Sequence, residues 1–146
     1  MEDNIFEVIY SKVQDFHRKY SEAQTLKERQ KIRNEYNSLM KEVEERGNYF
    51  CRIWRDYESS KDCGNEYMDI NDVVWDKDAE GLVSCMRENG IDKFTFSSGW
   101  SGSVETSWLF QKAGCKLEGL VEINSRIKNY MSDEYEKIHG YLFSVC

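Results

Sequence analysis

The chain is predicted to fold as a small α+β protein: an N-terminal helical hairpin, with one long helix, packed on a small sheet that contains a βαβ unit. Three observations carry this. Residues Lys93 to Ser125 run strand, tight loop, helix, strand. An apolar stripe at helical spacing crosses residues 26–60. Proline is absent from all 146 residues, which suits long helices and argues against a loop-heavy β fold. A chain of this length makes one ordinary domain, with 1–62 as its helical part and 65–146 as its α/β part.

Taken in order, residues 4–20 form an amphipathic helix. Ile9, Val13, Phe16 and Tyr20 step by 4, 3 and 4, and Asp3 or Asn4 is placed to cap it. After a polar break at Ser21 to Gln24, Thr25 to Glu28 reads as a capping box. The stripe then runs through Ile32, Tyr36, Met40, Val43, Gly47, Phe50, Trp54 and Tyr57. Its phase is unbroken at Gly47, so a single helix over 26–60 is expected, at about 1 kcal/mol for the mid-helix glycine. Two helices hinged at Gly47-Asn48 are the alternative. Gly64 is the C′ candidate that ends the segment.

Residues 65–76 offer a short extended stretch with Val73, Val74 and Trp75 packing inward. Asp76 or Asp78 opens a helix through Leu82, Val83, Cys85 and Met86, closed by Asn89-Gly90. The alternating run at Phe94 and Phe96 leads through Ser97 to Ser103 into a helix ended by Gly114. A second alternating run (Leu117, Leu120, Val121, Ile123) follows, parallel to the first. Residues 126–137 look helical through Ile127, Tyr130 and Met131, and His139 to Val145 form a third strand.

Composition narrows the function. Net charge is −7, spread as 12 basic and 16 acidic groups over residues 1–73 and 8 and 11 over 74–146. With no basic patch, direct nucleic-acid binding is disfavoured, whereas a basic protein partner is compatible. The five cysteines are odd in number and none falls in C-x-x-C spacing, so reduced thiols in a cytosol are expected. The start, MEDNIF, has no signal-peptide pattern, and no apolar run is long enough for a membrane span.

Two segments invite chemistry. The loop Ser98, Gly99, Trp100, Ser101, Gly102, Ser103 leaves a strand and opens a helix, where backbone N–H groups and the helix dipole favour a phosphate or carboxylate. It is neither a dinucleotide fingerprint nor a P-loop. The plain alternative is a tight turn with Ser103 as N-cap and Trp100 covering core. Ser101 also sits as in a nucleophile elbow, with Glu122 and His139 following, but the chain is too small and has no oxyanion motif. The second segment is acidic: Asp62, Glu66, Asp69, Asp72, Asp76 and Asp78, with Glu80, form either a solvated face or a docking surface for basic partner residues. Two histidines and scattered cysteines give no metal-ligand spacing, so neither metal nor cofactor is expected. Of the four tryptophans and nine tyrosines most are expected in the core, and the surplus suits an interface.

The run Phe94 to Ser101, then Val104-Glu105, Trp108, Phe110-Gln111, Gly114-Cys115 and Leu117 to Asn124, resembles a family of small uncharacterised proteins from bacterial mobile elements. The resemblance implies no catalytic residues. By context it implies host-defence inhibitors, anti-CRISPR proteins among them. The expected function is therefore a non-enzymatic intracellular protein-binding module, an inhibitor of a nucleic-acid-handling defence complex such as CRISPR–Cas. The alternative is a small-molecule or nucleotide-phosphate binder using the 97–104 loop. A homodimer through the long helix is the remaining possibility.

Overall fold

The computed structural model describes residues 4–145. Three helices come first: α1 (Ile5–Glu22), α2 (Leu26–Glu45) and α3 (Asn48–Asp62). Asn4 caps α1 by accepting from the Glu7 N–H at 2.8 Å, and Thr25 caps α2 by accepting from Glu28 at 3.1 Å. The other cap candidate, Asp3, lies outside the described residues. Helices α1 and α2 run antiparallel: Tyr20 meets Arg33, Phe16 meets Tyr36, and the buried Val13, Leu39 and Val43 lie deeper in the same seam.

The single long helix is not formed. The chain turns at Gly47, whose φ of +103° and ψ of 173° no helix contains. Gly47 precedes α3 as its N-cap, and only a residue without Cβ enters that conformation cheaply. The stripe stays in phase because both helices bury it against one core. Phe50 stacks on Phe6 with ring centroids 4.6 Å apart, and Tyr57 packs on Phe6 and Tyr10. Leu39, Val43, Phe50, Trp54 and Tyr57 are buried within the chain, whereas Ile32, Tyr36 and Met40 of the same stripe are half-buried.

The remaining elements are β1 (Met68–Ile70), α4 (Asp76–Glu88), β2 (Lys93–Phe96), α5 (Ser103–Lys112), β3 (Lys116–Asn129) and β4 (Glu134–Ser144). The sheet order is β1-β2-β4-β3. β1 and β2 are parallel neighbours joined through α4; β4 is antiparallel to both β2 and β3. β2 and β3 therefore do run parallel, as expected of a βαβ unit, but β4 is inserted between them. The unit with adjacent parallel strands is β1–α4–β2. Helices α3, α4 and α5 each end in a Schellman closure: Gly64, Gly90 and Gly114 take positive φ, and the next residue's N–H reaches back to Ser60, Met86 and Phe110.

Residues 126–137 are not helical. They form the outer part of the β3–β4 hairpin, with Lys128 opposite Tyr135 and Asn129 opposite Glu134. The i, i+3, i+4 spacing of Ile127, Tyr130 and Met131 was misleading, because all three are exposed at the hairpin tip and bury no helical face. The core under the sheet is aromatic. Phe94 and Phe96 of β2 enclose Phe110 of α5 with Phe143 of β4, at centroid distances of 4.9–5.7 Å. Each buried phenyl contributes about 1.5–3 kcal/mol relative to exposure.

Candidate functional site

Parallel strands β1 and β2 end side by side at Ile70 and Phe96, and the Ser97 N–H extends their ladder by donating to the Ile70 carbonyl at 3.0 Å. Beyond them the chain leaves on two loops, 71–75 and 97–102, that open α4 and α5. Thr106, in the first turn of α5, joins the loops. Its buried hydroxyl accepts from the Val74 N–H at 3.1 Å and donates to the Val74 carbonyl at 3.3 Å. Gly102 lets the loops close: a Cβ there would stand 3.2 Å from Val73 Cγ1.

Between the loops lies a groove of about 700 Å³. Trp75, Trp100 and Trp108 line it, at 68%, 73% and 57% exposure. The expectation that Trp75 packs inward and Trp100 covers core is corrected here. Val74 alone of the 73–75 run is deeply buried, and both indoles face solvent. Trp108 is out of phase with Thr106, Leu109 and Phe110, the buried residues of α5, so it falls on the outer face. Leaving three indoles in water forgoes about 1.5–3 kcal/mol of burial at each, and such patches mark interaction surfaces. Asp72, Asp76 and Glu105 also line the groove, and among the described residues no basic one does. Lys112 reaches over Trp108 from outside, its Nζ 5.0 Å from the ring centroid.

The residues singled out from sequence are divided by the fold. Trp100, Ser101 and Gly102 line the groove; Ser98, Gly99 and Ser103 do not. Ser103 is not the N-cap. Gly102 holds that position, and the Ser103 hydroxyl donates to the Ser98 and Trp100 carbonyls. Of the acidic run, Asp72 and Asp76 reach the groove. Asp62 accepts from the Tyr10 hydroxyl at 2.8 Å; burial first, and this carboxylate second, push that phenol up to about 12. Asp78 accepts from Tyr49, and Glu66 lines a separate hollow with Lys61 and Lys93. Glu122 and His139 face each other across β3 and β4, in a different element from Ser101.

Asp69 is buried at 4% exposure on the opposite face of the sheet from Phe94 and Phe96. It accepts from Thr95 Oγ1 at 2.7 Å and Ser97 Oγ at 2.6 Å, while its own N–H donates to Ser60 Oγ. Burial raises its carboxyl above the ordinary range, against the two hydroxyl donors and nearby Arg126, which pull it down. Arg126 of β3 closes this network on Asp56 of α3, at 3.0 Å. Burial likewise raises the Asp56 carboxyl, opposed by Arg126. Sequence reasoning missed Asp56 and Arg126, having placed residue 126 in a helix. It also missed Trp75, Trp108 and Glu105 as groove residues, although the outward phase of Trp108 was a readable signal.

Among known families, a domain of unknown function (DUF7698) matches residues 52–145. The chain belongs to this family. The match starts inside α3 and runs to the end of β4, so the groove and the buried carboxylate network both lie within it. Helices α1 and α2 precede it. No curated protein and no solved structure matches the chain. Among the described residues, no helix is long and apolar enough to cross a membrane.

Proposed function

We propose that this protein is a non-enzymatic binding module that grips a protein partner through the tryptophan groove at the carboxyl ends of β1 and β2. One observation carries the proposal: three of the four tryptophans stand exposed around a single groove while the rest of the core is well supplied with aromatics. Tryptophan is the residue most enriched in binding hot spots, and a groove with a buried floor and acidic rim has hot-spot anatomy. The narrower form of the proposal is an inhibitor from a mobile element, acting in the cytoplasm on a nucleic-acid-handling defence complex such as CRISPR–Cas. The acidic balance of −7 supports it, because such complexes present basic channels.

The rival, a nucleotide-phosphate binder on the 97–104 loop, is favoured by the convergence of the α4 and α5 N-termini at the ends of parallel strands. The three groove carboxylates oppose it, since they stand where an anion would bind.

Affinity capture from lysate of the source cells, with the natural protein and a Trp100→Ala/Trp108→Ala variant, tests the proposal. A partner retained by the natural protein and lost by a variant of unchanged melting temperature is expected. Equal recovery by both would remove the groove from the function.

A further inference from the structure

We infer that the segment seated in this groove is cationic: a stretch of the partner chain that lays an arginine or lysine against the indoles, beside an apolar side chain on the floor. The inference rests on the protein-binding reading above and adds the chemistry of the occupant.

The groove itself argues for it. Trp75, Trp100 and Trp108 line a common space, and indole is the best side-chain acceptor for a cation. Asp72, Asp76 and Glu105 place three negative charges on the same walls; basic groups stand outside the lining, Arg52 donating to the Val73 carbonyl at 3.2 Å and Lys112 over Trp108. Of the groove carboxylates, Asp72 accepts from its neighbour's backbone, the Val73 N–H at 2.8 Å. Neither Asp76 nor Glu105 forms a salt bridge among the described residues. One indole already takes a cation, since Lys112 Nζ stands 5.0 Å from the Trp108 ring centroid.

The floor adds the second element. Val74 and Leu109 are nearly buried and half-buried Val73 lies beside them, so an aliphatic side chain next to the cation finds an apolar seat. A volume of about 700 Å³ holds several residues of an extended segment rather than one side chain. The same charges exclude nucleic-acid phosphate from the groove, so the occupant is a protein. Arginine suits the site best, because its planar guanidinium stacks on indole and bridges to a carboxylate together.

The indole N–H resonances of the intact protein would be followed by NMR while N-acetyl-arginine methylamide, N-acetyl-glutamate methylamide and inorganic phosphate are each titrated to about 10 mM. The arginine probe is expected to shift Trp75, Trp100 and Trp108, and the other two probes to leave them in place. Its affinity should fall about fivefold or more in Asp72→Asn/Asp76→Asn/Glu105→Gln, and fall with added salt. No response to the arginine probe, an equal response to the glutamate probe or to phosphate, or unchanged affinity in the neutralised variant would overturn the inference. These readouts need no captured partner. A partner lost by Trp100→Ala/Trp108→Ala yet held by the neutralised protein would sink the cationic occupant and leave the binding module standing.

Discussion

Arg126 Nη2 lies 3.0 Å from Asp56 Oδ1, so one ion pair joins the β3–β4 hairpin to α3. The same Nη2 donates to the Asp69 carbonyl of β1 at 2.8 Å, and Nη1 donates to Asn71 Oδ1 at 3.1 Å. A single guanidinium thereby ties β3 to α3, to β1 and to Asn71 of the loop that opens the groove, all more than 50 residues earlier in the chain.

Replacing Arg126 by Met should destabilise the protein by about 2–4 kcal/mol. Removing one member of a buried pair strands the other charge, and the partial exposure of both side chains keeps the loss below the upper limit for full burial. The double variant Asp56→Leu/Arg126→Met should recover much of it. Urea denaturation of the four proteins in the cycle measures this. A double variant as unstable as the sum of the singles would show the two sites to be independent.

Stability should depend on pH through Asp69. Its carboxyl is raised by burial, so the native state holds this proton more tightly than the unfolded chain does. Stability from this group is therefore fully present below the ordinary value of 3.8, and is lost as pH rises through the raised native value. The melting temperature of the natural protein minus that of Asp69→Asn should widen as pH falls from neutral toward that range. A difference that stays flat or narrows would contradict the assignment. Glu7 works in the opposite sense, lowered chiefly by the Tyr57 hydroxyl and secondarily by Lys61, but it is common to both proteins and drops out of the difference.

Gly47→Ala should cost about 1–2 kcal/mol, although nothing lies within 4 Å of the added methyl. Backbone strain at φ +103° is the whole cause, not crowding. The same substitution in a continuous helix would have stabilised it by about 1 kcal/mol, so chemical denaturation distinguishes the two by sign.

Alanine at Trp75, Trp100 or Trp108 should change stability by no more than about 0.5 kcal/mol each, as at other surface positions. Trp54→Ala, in the core, should cost about 3–5 kcal/mol. Thermal melts of the four variants check this. A large loss from any groove tryptophan would mean that the indole supports the fold rather than a partner.

Where local neighbours suffice, the reading from sequence and the structure agree. The Asn4 and Thr25 caps, the glycine closures at 64, 90 and 114, and the helices α1, α4 and α5 rest on contacts within a few residues. So do the two alternating runs around α5 and the strand after His139. Half the candidate loop was legible for the same reason: Trp100, Ser101 and Gly102 line the groove because a strand-to-helix loop must emerge at the sheet's end.

What the amino-acid sequence determined alone was the type of most elements, the phase of the apolar faces and the α+β class, because periodicity is set by residues two to four positions apart. Tertiary structure decided the rest. It inserted β4 between β2 and β3, and it drew residues 126–129 into β3 by pairing Lys128 with Tyr135 and Asn129 with Glu134 across the hairpin. It used Gly47 to turn a stripe that runs in phase on both sides, since phase reports which face is buried and not where the axis points. It also sorted like residues to unlike fates. Asp69 is buried among hydroxyls while Asp72 and Asp76 face solvent, and Trp54 is in the core while three other indoles rim a groove. Burial depends on what the whole chain brings to each side of a strand or helix, which no window of local sequence contains.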